Sequence, residues 1–370
     1  MRVLFVSCDP LGGAVTRYRC THLAEALKSA GHTADVATIY DPVIRLEHDI
    51  VVLHRICANT EGQGLADAVR KSGATLIYGA DDLVWEAISP ASSLGHPSSP
   101  VAPSSREEGL ASLHLAMLQQ ADGVLVSTNA LAEFAQEAGA KEAAVVRNWA
   151  LEKELQSEPL VADQGKFTLF YGAGTRTHDR DIALLVPALE ELLTTGRYEE
   201  QLVLAGRVGC PVELLRTGRV KRWPWCEWKY YVALTHGCDT VLAPLEATRF
   251  NSGKSELKWL EAAMCKKPTV ASFWGGFREV IADGKDGFLA ENPEEWQAKI
   301  LQLMEDNRLR ARMGKAAYAS AKKQASEQQK ATVAVFQSWQ PSRVTVPRLV
   351  RNYWGWLKGK VKTVQRRLKR

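Results

Sequence analysis

Short β-branched runs alternate with helical patterns along this 370-residue chain, and the alternation is run through twice. In the first 150 residues the spacing predicts strands at 3–7, 34–39, 50–55, 75–78, 123–127 and 143–146. Helical periodicity falls between them at 18–30, 64–72, 110–120 and 130–138. After a polar stretch at 152–166 the pattern restarts. Strands are expected at 167–171, 201–205, 240–243 and 269–272, with helices at 182–194, 257–264, 294–305 and 308–328. Strand–helix alternation requires parallel pairing, because a parallel crossover needs a helix to carry the chain back. The expected fold class is therefore α/β, with two Rossmann-like halves. The halves even echo each other, with Ala121-Asp-Gly-Val-Leu-Val in one and Cys238-Asp-Thr-Val-Leu-Ala in the other. Ligands of such sheets bind beyond the carboxyl ends of the strands, so two facing halves imply an interdomain cleft.

Charge is distributed unevenly. Ten of the 47 Lys and Arg, and none of the 42 Asp and Glu, fall in residues 341–370, which leaves the body at −5 and the tail at +10. An acidic body argues against nucleic acid as a partner. In the tail, Val350, Tyr353, Trp354, Leu357, Val361, Val364 and Leu368 recur at three- and four-residue steps among Lys and Arg. That pattern draws an amphipathic helix from Arg348, suited to lie on an anionic membrane surface; Gly355 and Gly359 weaken it, and a solvated tail is the other reading. No run of about 18 apolar residues exists to span a bilayer. Residues 1–6 are too short an apolar run for a signal peptide. The seven cysteines are odd in number and none are CxxC-spaced, which fits reduced residues in a cytoplasmic protein better than disulfides or a zinc site. The Ser- and Pro-rich stretch 89–108 reads as a surface loop.

The densest chemical signal is Phe250-Asn-Ser-Gly-Lys-Ser-Glu-Leu-Lys-Trp-Leu-Glu261, which runs from a loop into a helix. Small residues and Lys254 at a helix start offer free amides, a positive helix end and a cation to an anion. Glu261, about two turns on, has two acceptor oxygens for the two hydroxyls of a ribose. Together they suggest a nucleoside diphosphate. Gly253-Lys254-Ser255 is not a P-loop ending, because position 248 is Thr where that motif needs Gly. The plainer readings are a helix-start lysine and a surface glutamate. Trp223, Trp225, Trp228, Tyr230 and Tyr231 form an aromatic cluster that reads as packing before it reads as a stacking platform.

These residues resemble the GT-B-fold glycosyltransferases of the retaining family-4 type, over about residues 1–325 and best in the second half. The resemblance rests on Gly12-Gly13 after the first strand, Gly31-His32, Asp239-Thr-Val-Leu-Ala-Pro244, Leu260-Glu261-Ala-Ala, Pro268-Thr-Val-Ala-Ser272, Gly275 to Glu279, and Asp286-Gly-Phe-Leu. It implies an N-terminal acceptor domain at 1–150 and a donor domain at 165–325, with the tail at 341–370 apart from both. The family usually carries two glutamates seven residues apart. Glu261 matches the second, but the first position is Gly253. The pattern here is that of a subgroup, with Asn251, Lys254, Ser255, Lys258 and Glu261 at fixed spacing, and Glu256 between them. Where the family clamps the diphosphate with Arg and Lys, this chain has Gly172-Ala-Gly174-Thr-Arg176-Thr-His178.

The resemblance implies retaining transfer of a hexosyl-type sugar from a nucleotide sugar to a glycan or lipid-linked acceptor, in cell-surface polysaccharide biosynthesis. The donor is a substrate, and no cofactor or metal is expected. Lys254 and Arg176 would neutralise the leaving diphosphate. Gly12, Gly13, Gly174, His178, Asn251, Ser255, Glu256, Lys258 and Glu261 would surround the nucleotide sugar. Asp81-Asp82 stands where the family often has a His-Asp pair near the donor sugar, which implies a catalytic pair that contacts the sugar or activates the acceptor; a loop terminus or a metal motif are the other readings. Arg17 and Arg19 offer an acceptor phosphate site, or Arg19 an ordinary ion pair, and His54-Arg55 is a further candidate at a strand end. The expected location is peripheral, on the cytoplasmic face of a membrane. A nucleotide-sugar epimerase of the same fold and a non-catalytic binding or scaffold protein are the alternatives.

Overall fold

The computed structural model describes residues 1–87, 104–160, 165–174, 178–195 and 198–340, together with the backbone of a strand at Arg348–Arg351. These residues divide into two units. One holds 1–87, 104–147 and 327–340 with the strand 348–351, and the other holds the described residues of 148–326.

The first unit has strands β1 (Arg2–Ser7), β2 (Thr33–Thr38), β3 (Val43–Leu46), β4 (Ile50–His54), β5 (Thr75–Ala80), β6 (Gly123–Val126) and β7 (Ala143–Val145). Six of them form a parallel sheet in the order β2-β1-β4-β5-β6-β7, with Phe5 level with Val52 and Val52 level with Ile77. Every residue of β4 is buried, as expected of a strand covered on both faces. The crossover helices start and stop where local chemistry tells them to. Asn59 accepts from the Gly62 amide at the start of helix Thr60–Ser72, and Gly73 closes it at φ +83°. Ser104 and Glu107 form a capping box on helix Ser105–Gln120, so the loop expected at 89–108 gives way to helix at its end; 89–103 lie outside the described residues. After β1 the chain enters helix Ala14–Thr16, widens into one π turn at Arg17–Thr21, and continues as helix His22–Ser29.

The second unit has β8 (Phe167–Ala173), β9 (Glu200–Gly206), β10 (Val220–Trp223), β11 (Thr240–Ala243), β12 (Thr269–Ser272) and β13 (Phe288–Ala290). They form a parallel sheet in the order β10-β9-β8-β11-β12-β13. Period-2 alternation sends Leu169 and Tyr171 to one core with Leu189, Leu202 and Trp296, and Phe170 to the other with Val203, Leu234 and Ala262. Each such fully buried side chain is worth about 1.5–3 kcal/mol, so both faces hold the sheet in place. Strand order reverses between β1 and β4 in the first unit and between β8 and β11 in the second. Those switch points are where an open α/β sheet leaves a crevice at its carboxyl ends.

One last strand, β14 (Arg348–Arg351), pairs antiparallel with β3. The helix drawn from Arg348 is therefore corrected at its start. Arg348-Leu-Val-Arg351 alternates with period 2 as readily as with period 3.6, and pairing with β3 decides between them. Residues 352–370 lie outside the described residues. Among the described residues, no helix is long and apolar enough to cross a membrane.

Candidate functional site

In the second unit the switch-point crevice is organised around one buried carboxylate. Asp181 lies in the short helix Asp179–Ala183 that follows β8, and its side chain is 1% exposed. Its Oδ2 is 2.7 Å from His178 Nδ1. Its Oδ1 accepts from the Glu246 amide at 2.8 Å and from Asn251 Nδ2 at 3.0 Å. Asn251 Nδ2 also donates to the Glu246 carbonyl at 3.0 Å, and the Asn251 carbonyl accepts from the Lys254 amide at 3.1 Å. One carboxylate thus ties together His178, Glu246 just past β11, and Asn251 of the 246–254 loop. Arg180 adds a 2.5 Å ion pair to Glu246, and the Asp179 carboxylate takes the Gly209 amide at 2.7 Å.

The loop passes under two glycines. The Gly276 amide donates to the Lys254 carbonyl at 2.9 Å, and a Cβ on Gly275, at φ +58°, would lie 2.8 Å from the Asn251 carbonyl oxygen. No larger residue fits there without moving the loop. Burial first, and Lys258 next, push His178 down to about 4 against the pull of Asp181; Lys254 adds to the lowering. His178 is neutral near neutral pH, its Nδ1–H donates to Asp181, and two lysine ammonium groups lie near enough to be felt. Lys254 Nζ sits 4.5 Å from the Phe250 ring centroid, and Lys258 Nζ 5.7 Å from that of Tyr171.

The helix Leu257–Met264 starts directly behind this loop. Glu256, at its N-cap, is fully buried, and its carboxylate accepts from Gln324 Nε2 at 2.5 Å. The Ser255 hydroxyl accepts from Asn148 Nδ2 at 3.0 Å. Glu261 is 6% exposed and accepts from the Tyr231 hydroxyl at 2.9 Å. Burial and then the Glu261 charge keep that phenol protonated far above the usual tyrosine range, so it remains a donor. Tyr231 stacks on Trp228 at 5.5 Å and packs beside Phe170 at 5.6 Å. It lies over Gly172 of β8, where a Cβ would come within 2.5 Å of its ring. The aromatic cluster read from the sequence is therefore divided. Tyr231 and Trp228 orient Glu261, while Trp225 is 60% exposed with the Arg207 guanidinium 5.7 Å from its ring centroid.

In the first unit the acids after β5 are held by β4. Arg55 donates from Nε to Asp81 Oδ1 and from Nη2 to Asp82 Oδ2, each at 2.5 Å, and His54 Nε2 lies 3.1 Å from Asp81 Oδ1. Burial works against the Asp81 charge, but Arg55 and the His54 hydrogen bond outweigh it and hold this carboxyl well below the usual range. Burial pushes His54 down, so it is neutral. Gly12 is exposed; the Gly13 amide donates to the Pro10 carbonyl at 2.9 Å and caps the helix at Ala14. Arg17 reaches the Gly12 carbonyl at 3.4 Å. Arg19 is buried and donates to the Val146 carbonyl at 2.7 Å, away from any acceptor phosphate in solvent.

The structure brings His178, Asn251, Lys254 and Lys258 together around Asp181 at the switch point of the second unit, and Gly174, after β8, is exposed. Glu256 faces inward to Gln324, and Glu261 sits two turns on with Tyr231. Gly12, Gly13, Asp81 and Asp82 belong to the first unit. Arg176 lies outside the described residues. Sequence reasoning missed Asp181 and Glu246, and it named Tyr231 only as a member of the aromatic cluster, not as the partner of Glu261. An Asp-Arg-Asp run opening the helix after β8 was the one available signal for Asp181.

Residues 166–306 match the family model described as "Glycosyl transferases group 1". A 79-residue stretch is 37% identical to the uncharacterized glycosyltransferase MJ1178 of Methanocaldococcus jannaschii; it spans 21% of this chain and 21% of that relative. Among solved structures, Anabaena Alr3699/HepE in complex with UDP and glucose superposes with a TM-score of 0.63 at 16% identity, over 91% of this chain and 100% of that one. The same Anabaena protein is also solved with UDP-glucose. Sucrose-phosphate synthase from Thermosynechococcus elongatus gives 0.56 at 13%, over 91% of this chain and 100% of that one. Identities this low speak to fold, and the fold is GT-B, with two Rossmann-like units.

Proposed function

We propose that this chain is a glycosyltransferase that moves a sugar, with retention, from a nucleotide diphosphate to a glycan acceptor. The observation that carries the reading is the Asp181-centred crevice, where His178, Lys254 and Lys258 gather at a switch point two helical turns from a buried, oriented Glu261. That is a diphosphate environment with a diol acceptor at ribose distance in sequence. In this reading Lys254, Lys258, His178 and Arg176 neutralise the diphosphate, Glu261 binds the ribose, and Asp81 and Asp82 meet sugar hydroxyls. The bond from the anomeric carbon to the phosphate oxygen breaks, and the acceptor oxygen takes its place on the same face. The acceptor proton passes to the leaving diphosphate, so no side chain need serve as base. The enzyme supplies orientation and fixed positive charge.

The test is a thermal-shift panel of UDP-, GDP-, ADP- and dTDP-sugars. A true donor at about 100 times its Kd stabilises by about 2.7 kcal/mol. Glu261→Ala should weaken the best nucleotide by about 1–3 kcal/mol in calorimetry, the cost of stranded hydrogen-bonding groups. No response to any nucleotide sugar sinks the reading. Binding followed by conversion of the donor without an acceptor identifies an epimerase, and binding without turnover a scaffold protein.

The acceptor is lipid-linked and the protein is held on an anionic, cytoplasmic membrane face by its tail. The support is the +10 charge of 341–370 and the apolar positions from Tyr353 to Leu368. Truncation after Arg351 leaves the β3–β14 pair whole and should abolish co-sedimentation with phosphatidylserine vesicles at low salt. Turnover of a water-soluble acceptor should survive. Full sedimentation of the truncated protein would remove the tail as anchor.

A further inference from the structure

We propose that Arg55 is a positioning residue: by bridging Asp81 and Asp82 it makes the acid pair a fixed hydrogen-bond acceptor for substrate hydroxyls instead of a general base. The inference rests on the glycosyltransferase reading for its substrate, but its geometry stands alone. Arg55 follows the last residue of β4 and adopts φ +52°, the left-handed region that a non-glycine residue enters only when its surroundings insist. The turn lets its amide donate to the Gly79 carbonyl at 2.8 Å and swings the guanidinium across the ends of β4 and β5. There its planar fork takes one oxygen from each of two consecutive carboxylates. A lysine ammonium lacks that fork. His54 holds the same Asp81 oxygen from behind, its ring wedged so close to β5 that a Cβ on Gly79 would lie 2.5 Å from Nδ1.

The surroundings leave Arg55 as the principal counter-charge. Cys8 and Asp9 follow β1, Arg19 and Cys20 come from the π turn, Cys57 follows β4, Tyr78 comes from β5 and His114 from helix Ser105–Gln120. Burial pushes Cys8 and Cys20 up to about 12, lifts Tyr78 well above its usual range and takes His114 down to about 4. With His54 neutral as well, the charges that lower Asp81 are Arg55 first and Arg19 behind it. Without Arg55, two adjacent carboxylates, each about one-fifth exposed, lose the guanidinium they share, and their mutual repulsion then favours a proton on one of them. A carboxylate held by a guanidinium accepts protons poorly but accepts hydrogen bonds well.

The experiment measures nucleoside diphosphate release from the best nucleotide sugar between pH 5 and 9 in wild type, Arg55→Ala and Arg55→Lys. Wild type should show no limb from the acid pair. Arg55→Ala should lose at least about tenfold in kcat at pH 6 with donor KM nearly unchanged, and gain a new acidic limb of about tenfold per pH unit. Adding Asp81→Asn to Arg55→Ala should remove that limb, since one carboxylate has no partner to share a proton with. Arg55→Lys should restore the flat profile at reduced kcat, and it remains the test if the alanine variant does not fold. Carboxyl-carbon NMR needs no turnover: an Asp81 resonance still ionised at pH 4.5 in wild type, but titrating above that in Arg55→Ala, supports the bridge even if no sugar is transferred. A pH-independent loss in Arg55→Ala, an unchanged kcat, or a wild-type Asp81 that titrates near neutrality overturns it.

Discussion

Replacing Asp181 by Ala should lower nucleotide affinity at least about 100-fold and the melting temperature of the second unit by about 10 °C. The carboxylate is 1% exposed and serves three donors, His178 Nδ1–H, the Glu246 amide and Asn251 Nδ2. Removing the acceptor strands three buried neutral donors, at about 1–3 kcal/mol for each that finds no other partner. In a unit of this size each kcal/mol is worth about 2–4 °C. The binding loss follows because the same bonds hold residues 246–254 in the shape that presents Lys254. Asp181→Asn preserves volume and one acceptor oxygen but turns an amide NH2 toward donors, so it should fall between wild type and alanine. Calorimetry and UDP titration measure both. An alanine variant that melts within about 2 °C of wild type and binds normally would show that the loop holds itself.

Lys254→Ala should leave stability nearly unchanged and lower kcat about 100- to 1000-fold, with donor KM moving only a few-fold. The side chain is half-buried and its ammonium rests over the Phe250 ring, a contact worth about 0.5–1 kcal/mol. Its catalytic value is larger, because charge on the departing diphosphate grows as the bond to the sugar breaks. A donor fixed in advance at such a site is typically worth two to three orders of magnitude. Steady-state kinetics separate the two effects: loss confined to KM would mean uniform binding, and loss in kcat an interaction made in the transition state. Normal turnover would assign Lys254 to the structure of the loop alone.

Much of the fold was legible because parallel strands buried on both faces are written as uninterrupted β-branched runs, as in Ile50-Val-Val-Leu. β10 was missed because Val220-Lys-Arg-Trp223 is an edge strand with exposed basic residues, which carries no apolar run. β3 was missed for a similar reason, since Val43-Ile-Arg-Leu46 stands outside the main sheet and depends on β14 for its partner. The candidate site was legible where it coincides with a contiguous segment, 250–261. It was illegible where one buried side chain gathers groups from far along the chain. Asp181 holds Asn251 from 70 residues away, and Arg55 holds Asp81 from 26. Nothing in local periodicity announces such a partner. Glu256 shows the converse, an acid inside the motif that points to Gln324 and the interior.

Gly172 carries a consequence for how variants of this protein would be misread. It sits one residue before the end of a core strand, and its missing side chain is the space in which the Tyr231 ring lies. Any substitution there levers the ring outward and drags the phenol off Glu261. A geneticist scoring alleles by phenotype would see impaired sugar-nucleotide usage in an otherwise folded protein and would look for a contact residue. The lesion would instead be one methyl group under an aromatic ring, and pairing Gly172→Ala with Tyr231→Leu, which vacates that space, would not add a second defect to the first.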